Sequence, residues 1–175
     1  MLAIAMVFGG SGAPVVARSV TEAQAKAALL YNFVAFVDWP QAAIDARTTF
    51  VIGVAGDADV LDALHPIAGQ TLKGHPIAIR DVREDEDPTQ CHVLYFPATR
   101  DRTTASLLHR AVDAPVLTVG DSTDFSKRGG IVTVYFDQSR LRFDVNLANA
   151  HRAQLKISSK ALGLARAVKS DGTTE

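Results

Sequence analysis

The chain has 175 residues, of which 47% are hydrophobic and 21% are charged, values typical of a single globular domain with one core. Its 18 basic and 19 acidic residues give a net charge of −1. Proteins that bind nucleic acid through its phosphates normally carry a basic excess, so the composition argues against a nucleic-acid partner. The single cysteine, Cys91, excludes an intramolecular disulfide and indicates no particular redox compartment.

The N-terminal segment has the character of an export signal. Residues 1–16 are apolar or small, and Val15 and Ala17 supply the small residues of a cleavage site after Ala17. We therefore expect residues 1–17 to be a signal peptide; a disordered apolar tail is the alternative, because no Lys or Arg precedes Arg18. No stretch of the chain is long enough for a transmembrane helix, so the mature protein is expected to be soluble and not itself membrane-spanning.

The first predicted element is a helix over Thr21–Val37, where Thr21 and Gln24 form a capping box and apolar residues recur at helical spacing. A strand is predicted at Phe50–Ala55, because a continuous run of apolar, largely β-branched residues is typical of a strand buried on both faces. Asp57 follows this strand and is predicted to cap a helix that reaches about Leu64.

Strands and helices continue to alternate through the middle of the chain. The same criteria predict three further strands and one helix, namely strands at Ile77–Val82, His92–Phe96 and Val116–Val119, and a helix at Asp101–Val112. The acidic run at 84–87 is predicted to be a solvated loop because it ends in a proline. Alternation of this kind indicates βα units and a parallel sheet.

The pattern changes after residue 130. Ile131–Phe136 and Leu141–Val145 are separated by four polar residues and predict an antiparallel hairpin. Asn146 is predicted to cap a short helix, and Ser158 to cap a last helix whose apolar stripe extends to Val168. The sequence therefore predicts one α/β domain over 18–170. The domain has three layers, with a mostly parallel sheet, a C-terminal antiparallel hairpin and helices on both faces. A disordered tail is expected at 171–175.

No arrangement of reactive side chains in the sequence indicates catalysis. The serines lack the G-x-S-x-G pattern of a nucleophile elbow, and no histidine stands at metal-ligand spacing from another. Cys91 and His92 are adjacent, but neighbours on a strand point to opposite faces, and Cys91 is better explained as a buried core residue. We therefore expect no enzyme activity, no metal and no cofactor, although a hydrolase with a dispersed active site stays an alternative.

Two aromatic residues at the end of the first helix leave a choice between core and interface. Phe36 lies away from the apolar stripe and Trp39 follows the helix end, and exposed large aromatics are good interface anchors. Arg142 is predicted to point outward from a half-exposed strand. Asn146 is a fourth candidate, with helix capping as its alternative role. The sequence thus proposes a partner-binding face that contains Phe36, Trp39, Arg142 and Asn146.

Several stretches taken together resemble the YfiR-like family of periplasmic proteins. The matching segments, in an order and spacing that cover about 21–168, are Lys26–Phe33, Phe36–Pro40, Cys91–Phe96, Val116–Val119 with Asp121 and Phe125, Gly129–Ile131, Arg142–Leu147 and Leu155–Leu162. The combination of Tyr-Asn-Phe and Trp-Pro with the later Phe-x-x-Asn-Leu and Ile-Ser-Ser is the most specific part of the match.

The resemblance implies an exported regulatory protein, often a homodimer, without catalytic residues. Its partner would be the periplasmic part of a membrane-bound diguanylate cyclase or sensor kinase. Restraint of such a cyclase would control cyclic di-GMP, and with it biofilm formation and motility. Disulfides stabilise the best understood member, but Cys91 alone cannot form an internal redox bridge here. The alternative function is a periplasmic small-ligand binding or sensor protein without a cyclase partner.

Overall fold

The computed structural model describes residues 20–170 and 173–174. The predicted signal peptide at 1–17 lies outside the described residues, as does most of the predicted tail at 171–175. The helices are α1 (Glu22–Phe33), α2 (Gln41–Asp45), α3 (Ala58–Leu64), α4 (Asp101–Ala111), α5 (Leu147–Arg152) and α6 (Ser159–Leu164). The strands are β1 (Val37–Asp38), β2 (Phe50–Val54), β3 (Thr71–Leu72), β4 (His75–Asp81), β5 (Val93–Phe96), β6 (Leu117–Gly120), β7 (Val132–Asp137), β8 (Arg140–Asn146), β9 (Lys156–Ile157), β10 (Ala167–Ser170) and β11 (Thr173–Thr174).

One large sheet organises the domain, with its strands in the order β11-β10-β8-β7-β6-β5-β2-β4-β3. Strands β4, β2, β5, β6 and β7 pair in parallel, β7 and β8 form an antiparallel hairpin, and β10 returns parallel to β8. The predicted mostly parallel sheet with a C-terminal hairpin is therefore confirmed. The hairpin does not form the edge of the sheet, because β10 pairs along its outer strand.

The sheet is covered on both faces, as the sequence predicted. Every residue of β2 is buried. Alternate β2 residues such as Phe50 and Ile52 belong to a large apolar cluster with α1 and α3, while Val51 belongs to a second cluster with Leu107 and Leu108 of α4. A strand buried on both faces needs apolar residues at successive positions, which explains the continuous apolar run of its sequence.

The predicted helix starts are confirmed as side-chain caps. Thr21 and Gln24 form the capping box of α1. Three further helices begin at residues whose side chains accept a backbone N–H of the first turn: Asp57 for α3, Asn146 for α5 and Ser158 for α6. Such caps were predictable because they depend on residues three apart in the chain.

The first helix is shorter than the sequence predicted. α1 ends at Phe33, the chain tightens into a 3₁₀ turn over Val34–Phe36, and Val37 begins β1. β1 pairs antiparallel with β9, and the N–H of Ser158 donates to the carbonyl of Phe36. Val34 and Val37 are both buried in this arrangement, so they meet the core without a continuous helix.

The last helix is also shorter than predicted. α6 ends at Leu164, and Val168, predicted as part of its apolar stripe, lies in β10 opposite Val145 of β8. Val168 is half-buried there. The prediction was wrong because a short apolar run is compatible with either a helix or a strand, and the distant β8 decides between them. The short elements α2, β1, β3 and β9 were not predicted.

Two glycines bracket the buried ring of Phe125, which is 0% exposed. A Cβ atom at Gly120 would lie 2.6 Å from this ring, and one at Gly130 would lie closer still. Both distances are shorter than a carbon–carbon contact allows. Gly120 ends β6 and Gly130 precedes β7, so the close approach fixes the turn between these strands against the sheet.

We expect Gly130→Ala to destabilise the domain by about 1–3 kcal/mol, the usual cost of forcing extra volume into a packed core. The matched control is Gly163→Ala in α6, where a new Cβ meets nothing within 4 Å. This control should be neutral or stabilise by up to about 1 kcal/mol, since Ala is the better helix former. Urea unfolding of the three proteins measures the difference. Equal midpoints for Gly130→Ala and the unsubstituted protein would contradict the close approach.

Candidate functional site

A polar cluster at the carboxyl ends of the parallel strands joins α1 to the sheet. Asp121, directly after β6, accepts hydrogen bonds from the Lys26 ammonium at 2.5 Å, from the Tyr95 hydroxyl at 2.7 Å and from the Ala98 backbone N–H at 2.5 Å. Lys26 belongs to α1 and Tyr95 to β5, so separate elements meet at one carboxylate. Open α/β sheets place ligand sites at this edge, which makes the cluster the first candidate to test.

The protonation states of the cluster favour a structural role. Burial raises the pKa of Asp121, but the hydrogen bonds from Lys26, Tyr95 and Ala98 outweigh burial and hold that pKa below its usual range. Burial, and then the charge of Asp121, raises the pKa of Tyr95 far above its usual range. The acid is therefore ionised and the phenol protonated at neutral pH, and neither is poised for proton transfer.

Sequence reasoning assigned no role to Lys26 or Asp121, although the sequence carries a signal for both. Lys26 lies four residues before Leu30 and seven before Phe33, so it shares their buried face of α1. Asp121 directly follows a strand that is buried throughout. A charged residue in either place requires a partner. Asp57, another carboxylate at this edge, accepts the N–H of Val60 at 3.1 Å and caps α3.

Cys91 and His92 point to opposite faces of the sheet, as expected for strand neighbours. Cys91 is buried in the cluster beneath α4, and burial raises the pKa of its thiol to about 11. The ring of His92 stacks on Phe50 at 4.6 Å. Its Nδ1 accepts the N–H of Val51 at 2.9 Å, so Nε2 carries the proton and faces the carbonyl of Ala43 at 3.3 Å. Within 20–170, no cluster of three His, Cys, Asp or Glu side chains is placed to hold a metal ion.

Trp39 lies in the core. Its side chain is 8% exposed, and its ring packs edge-on against Phe50 with centroids 5.4 Å apart. The indole Nε1 is buried and has no hydrogen-bond acceptor among the described residues. One side of Trp39 borders a pocket of about 200 Å³, which is also lined by Asp38, Gln41, Ile44 and Lys73.

Phe36 is half-buried at the surface beside α6. Its ring packs edge-on against Phe33 with the two ring centroids 6.5 Å apart, and the Lys160 ammonium lies 5.8 Å from the centroid of the Phe36 ring. Lys160 and Leu164 are four residues apart on α6 and therefore share a face of this helix. Leu164 is 61% exposed, and with Val20 it is one of the large hydrophobic side chains left exposed in the described part of the chain. We call Phe36, Lys160 and Leu164 the α6 patch.

The structure does not gather the four predicted partner-binding residues into one face. The ring of Phe143 in β8 packs edge-on against Phe33 of α1, with the ring centroids 5.3 Å apart. Arg142 is the strand neighbour of Phe143, so it points to the opposite side of the sheet. Arg142 is exposed, as the sequence predicted. The side chain of Asn146 accepts the N–H of Asn149 at 3.0 Å, which is its capping role. Phe36 is thus the predicted aromatic residue that lies at the surface, beside Lys160 of α6.

These features define a small three-layer α/β domain whose polar groups at the strand ends hold its own elements together. A family model described as YfiR/HmsC-like matches residues 23–166, and the chain belongs to that family. Members of this family are regulatory proteins of the periplasm that act in cyclic di-GMP signalling, and they are not enzymes. The predicted family is confirmed. None of the helices described has the length and apolar character that a membrane crossing requires.

Among solved structures, the chain is similar to the crystal structure of a conserved domain protein from Vibrio cholerae O1 biovar El Tor strain N16961. The TM-score is 0.58 and the sequence identity is 15%, a likeness that shows the fold alone. The similarity covers 85% of this chain and 60% of that chain, so this chain spans less than two thirds of the length of the relative. No curated protein matches the chain.

The buried His92 predicts a pH dependence of stability. Burial, and then the positive charge of Arg47, lowers its pKa from 6.5 to about 4. Between these values the unfolded chain binds a proton that the folded protein does not, so stability is lost as the pH falls through this window. We expect the free energy of unfolding to fall by about 2 kcal/mol between about pH 7 and about pH 5 because of this group.

Urea unfolding across this pH range measures the effect. In His92→Gln, the glutamine amide keeps one hydrogen-bond acceptor and one donor group but cannot become charged. This variant should therefore show a smaller change in the free energy of unfolding with pH. His109→Gln is the matched control, because His109 is exposed on α4. An equal flattening by both variants would show that His92 is not the group responsible.

Proposed function

We propose that this chain is a periplasmic regulatory binding protein that restrains a membrane-anchored signalling enzyme, a diguanylate cyclase, and so controls cyclic di-GMP. The family match carries this proposal, because it spans 23–166 and so includes nearly all of the described fold. The proposal includes binding to the periplasmic domain of the cyclase and formation of a homodimer. The fold supports it by supplying a rigid scaffold, with side-chain caps on its helices and a sheet covered on both faces.

The α6 patch is the surface that we propose for the partner. Interface hot spots combine an apolar or aromatic anchor with a polar rim that excludes water. Leu164 offers the exposed apolar anchor and Phe36 the aromatic one, while the Lys160 ammonium lies beside the Phe36 ring as a rim charge. A partner surface with an apolar pocket and a neighbouring carboxylate would complement this patch. Trp39 is left out because its ring is committed to the core.

A binder restrains an enzyme only through a difference in affinity. The proposed complex must favour the inactive conformation of the cyclase over the active one, since equal affinity for both shifts nothing. A tenfold preference is about 1.4 kcal/mol, which one well-buried anchor side chain supplies. Restraint therefore needs no reactive group on this chain.

We expect Leu164→Asp to weaken binding to the purified periplasmic domain of a membrane-anchored diguanylate cyclase from the same organism by at least tenfold. A buried charge replaces an apolar anchor in the complex, whereas the free protein loses little because Leu164 is 61% exposed. Val20→Asp is the matched control, since Val20 is 72% exposed and lies outside the α6 patch. Calorimetric titration measures the affinities, and thermal unfolding confirms that both variants fold.

Two results would count against this surface. Equal affinity of Leu164→Asp and the unsubstituted protein would remove the α6 patch from the interface. Absence of any complex with the cyclase domain, while both proteins are folded, would contradict the proposed restraint itself.

The pocket beside Trp39 supports a second candidate function, the binding of a small carboxylate. The buried indole Nε1 has no acceptor within the part of the chain that the structure describes, and an unsatisfied buried donor costs about 1–3 kcal/mol. Lys73 lies 6.0 Å from the centroid of the same ring and 3.8 Å from Asp38. A carboxylate that enters as the Lys73 side chain turns aside would bring an acceptor oxygen to the indole and an opposite charge to the ammonium.

Trp39 is the single tryptophan of the chain, so its fluorescence reports directly on this pocket. We expect titration with acetate or succinate to change the emission saturably and to raise the melting temperature. Lys73→Gln should abolish both responses, while Lys127→Gln, an exposed lysine elsewhere, should retain them. A linear, non-saturating change shared by all three proteins would exclude a carboxylate site.

A further inference from the structure

The net charge of −1 conceals a strong separation of charge along the chain. Residues 20–124 contain eight Lys or Arg and fifteen Asp or Glu, a net charge of −7, whereas residues 125–170 contain nine Lys or Arg and two Asp, a net charge of +7. Folding preserves this separation. The later segment forms β7, β8 and β10 towards one edge of the sheet, while β2, β4 and β3 lie towards the other. The folded molecule therefore has a basic end and an acidic end.

Part of the basic end is a sheet face that α4 does not cover. The apolar cluster beneath α4 contains residues of β2 and β5, with Ala78 of β4 packed against it, but none of the described residues of β7 or β8. Arg142 points to this side, opposite the face where Phe143 meets α1. The guanidinium of Arg166 lies 5.7 Å from the ring centroid of Tyr135, which pairs in register with Arg142. We call Arg140, Arg142, Arg166 and Lys169 the basic face.

The acidic residues in this region do not neutralise the basic face. Asp144 accepts a hydrogen bond from the Tyr135 hydroxyl at 3.0 Å, and Asp137 lies opposite Arg140 at the end of the hairpin. The ammonium of Lys169 donates to the hydroxyl of Ser126 at 3.1 Å, a neutral partner. The basic face therefore holds four positive charges beside two negative ones. The excess of positive charge is carried by exposed or half-buried side chains.

We propose that the basic face docks on an anionic phospholipid surface, which sets the orientation of the protein on the membrane. The choice of a membrane rests on the proposed function, which places the chain beside a membrane-anchored enzyme. Arginine is suited to phosphate because its guanidinium donates two parallel hydrogen bonds. The acidic end of the molecule is repelled by the same surface, so the charge separation selects a single orientation.

The character of the basic face favours lipid over a protein partner. Protein interfaces centre on desolvated apolar or aromatic anchors, and the ring of Tyr135 is already occupied by Arg166. Basic residues near an anionic bilayer need no such anchor, since each is attracted to the lipid headgroups through its charge alone. Leu164 and Phe36, the apolar anchors of the α6 patch, are left for the enzyme partner.

The test uses the purified protein with vesicles of phosphatidylglycerol and phosphatidylcholine, in the absence of any cyclase. We expect cosedimentation with these vesicles at low salt, no binding to pure phosphatidylcholine, and loss of binding as salt rises, because exposed charges are screened over about 10 Å at 0.1 M salt. Arg142→Glu should weaken binding by at least fivefold, the effect of removing one cation from an anionic surface. Arg102→Glu makes the same charge change at an exposed site on α4, and we expect it to leave binding unchanged.

Absence of binding to phosphatidylglycerol vesicles at low salt would overturn the proposal, and so would equal weakening by Arg142→Glu and Arg102→Glu. A third result would assign the basic face to the protein partner instead. In that case the unsubstituted protein does not bind vesicles, and Arg142→Glu no longer binds the cyclase domain. Because the vesicle assay contains no cyclase, its failure leaves the proposed restraint to be judged by the Leu164→Asp titration. Circular dichroism of both arginine variants confirms that they fold.

Discussion

The carboxylate of Asp121 is the point on which the arrangement of this domain depends. A half-buried charge is unfavourable unless it is fully hydrogen-bonded, and here three donors from α1, from β5 and from the turn after β5 supply the bonds. The contact with Lys26 fixes one end of α1 at the carboxyl edge of the sheet. The other end then delivers Phe33 to the large apolar cluster and Phe36 to the surface beside α6. The bond between Lys26 and Asp121 therefore helps to position Phe36 of the α6 patch, although neither residue belongs to that patch.

The buried polar groups of this domain are used for structure. His92 is neutral and satisfied by two backbone groups, Cys91 is held as a thiol inside an apolar cluster, and Tyr95 is held protonated by burial and then by its acidic neighbour. Groups with such pKa values keep one protonation state near neutral pH. This chemistry agrees with membership of a family of regulatory proteins.

The two surfaces proposed for binding draw all of their residues except Phe36 from the last third of the chain. α6 contributes Leu164 and Lys160 to the α6 patch, and the strand that follows contributes Lys169 to the basic face. These surfaces differ in chemistry, since one offers apolar anchors and the other offers charge. A protein that contacts an enzyme with one surface and a bilayer with another would present a fixed orientation to its partner. The separation of charge between residues 20–124 and 125–170 would support that orientation.

Features that depend on neighbours in the chain could be predicted from the sequence: the four side-chain caps, the strand buried on both faces, the hairpin and the outward position of Arg142. Motifs distributed over the whole chain also identified the family. The ends of α1 and α6 depend on long-range contacts, because β9 and β8 supply competing backbone partners from distant positions. Long-range packing also places Trp39 in the core and brings Lys26 to Asp121, 95 residues away. Caps and periodicity are short-range effects, whereas burial and ion pairing are fixed only when the layers pack.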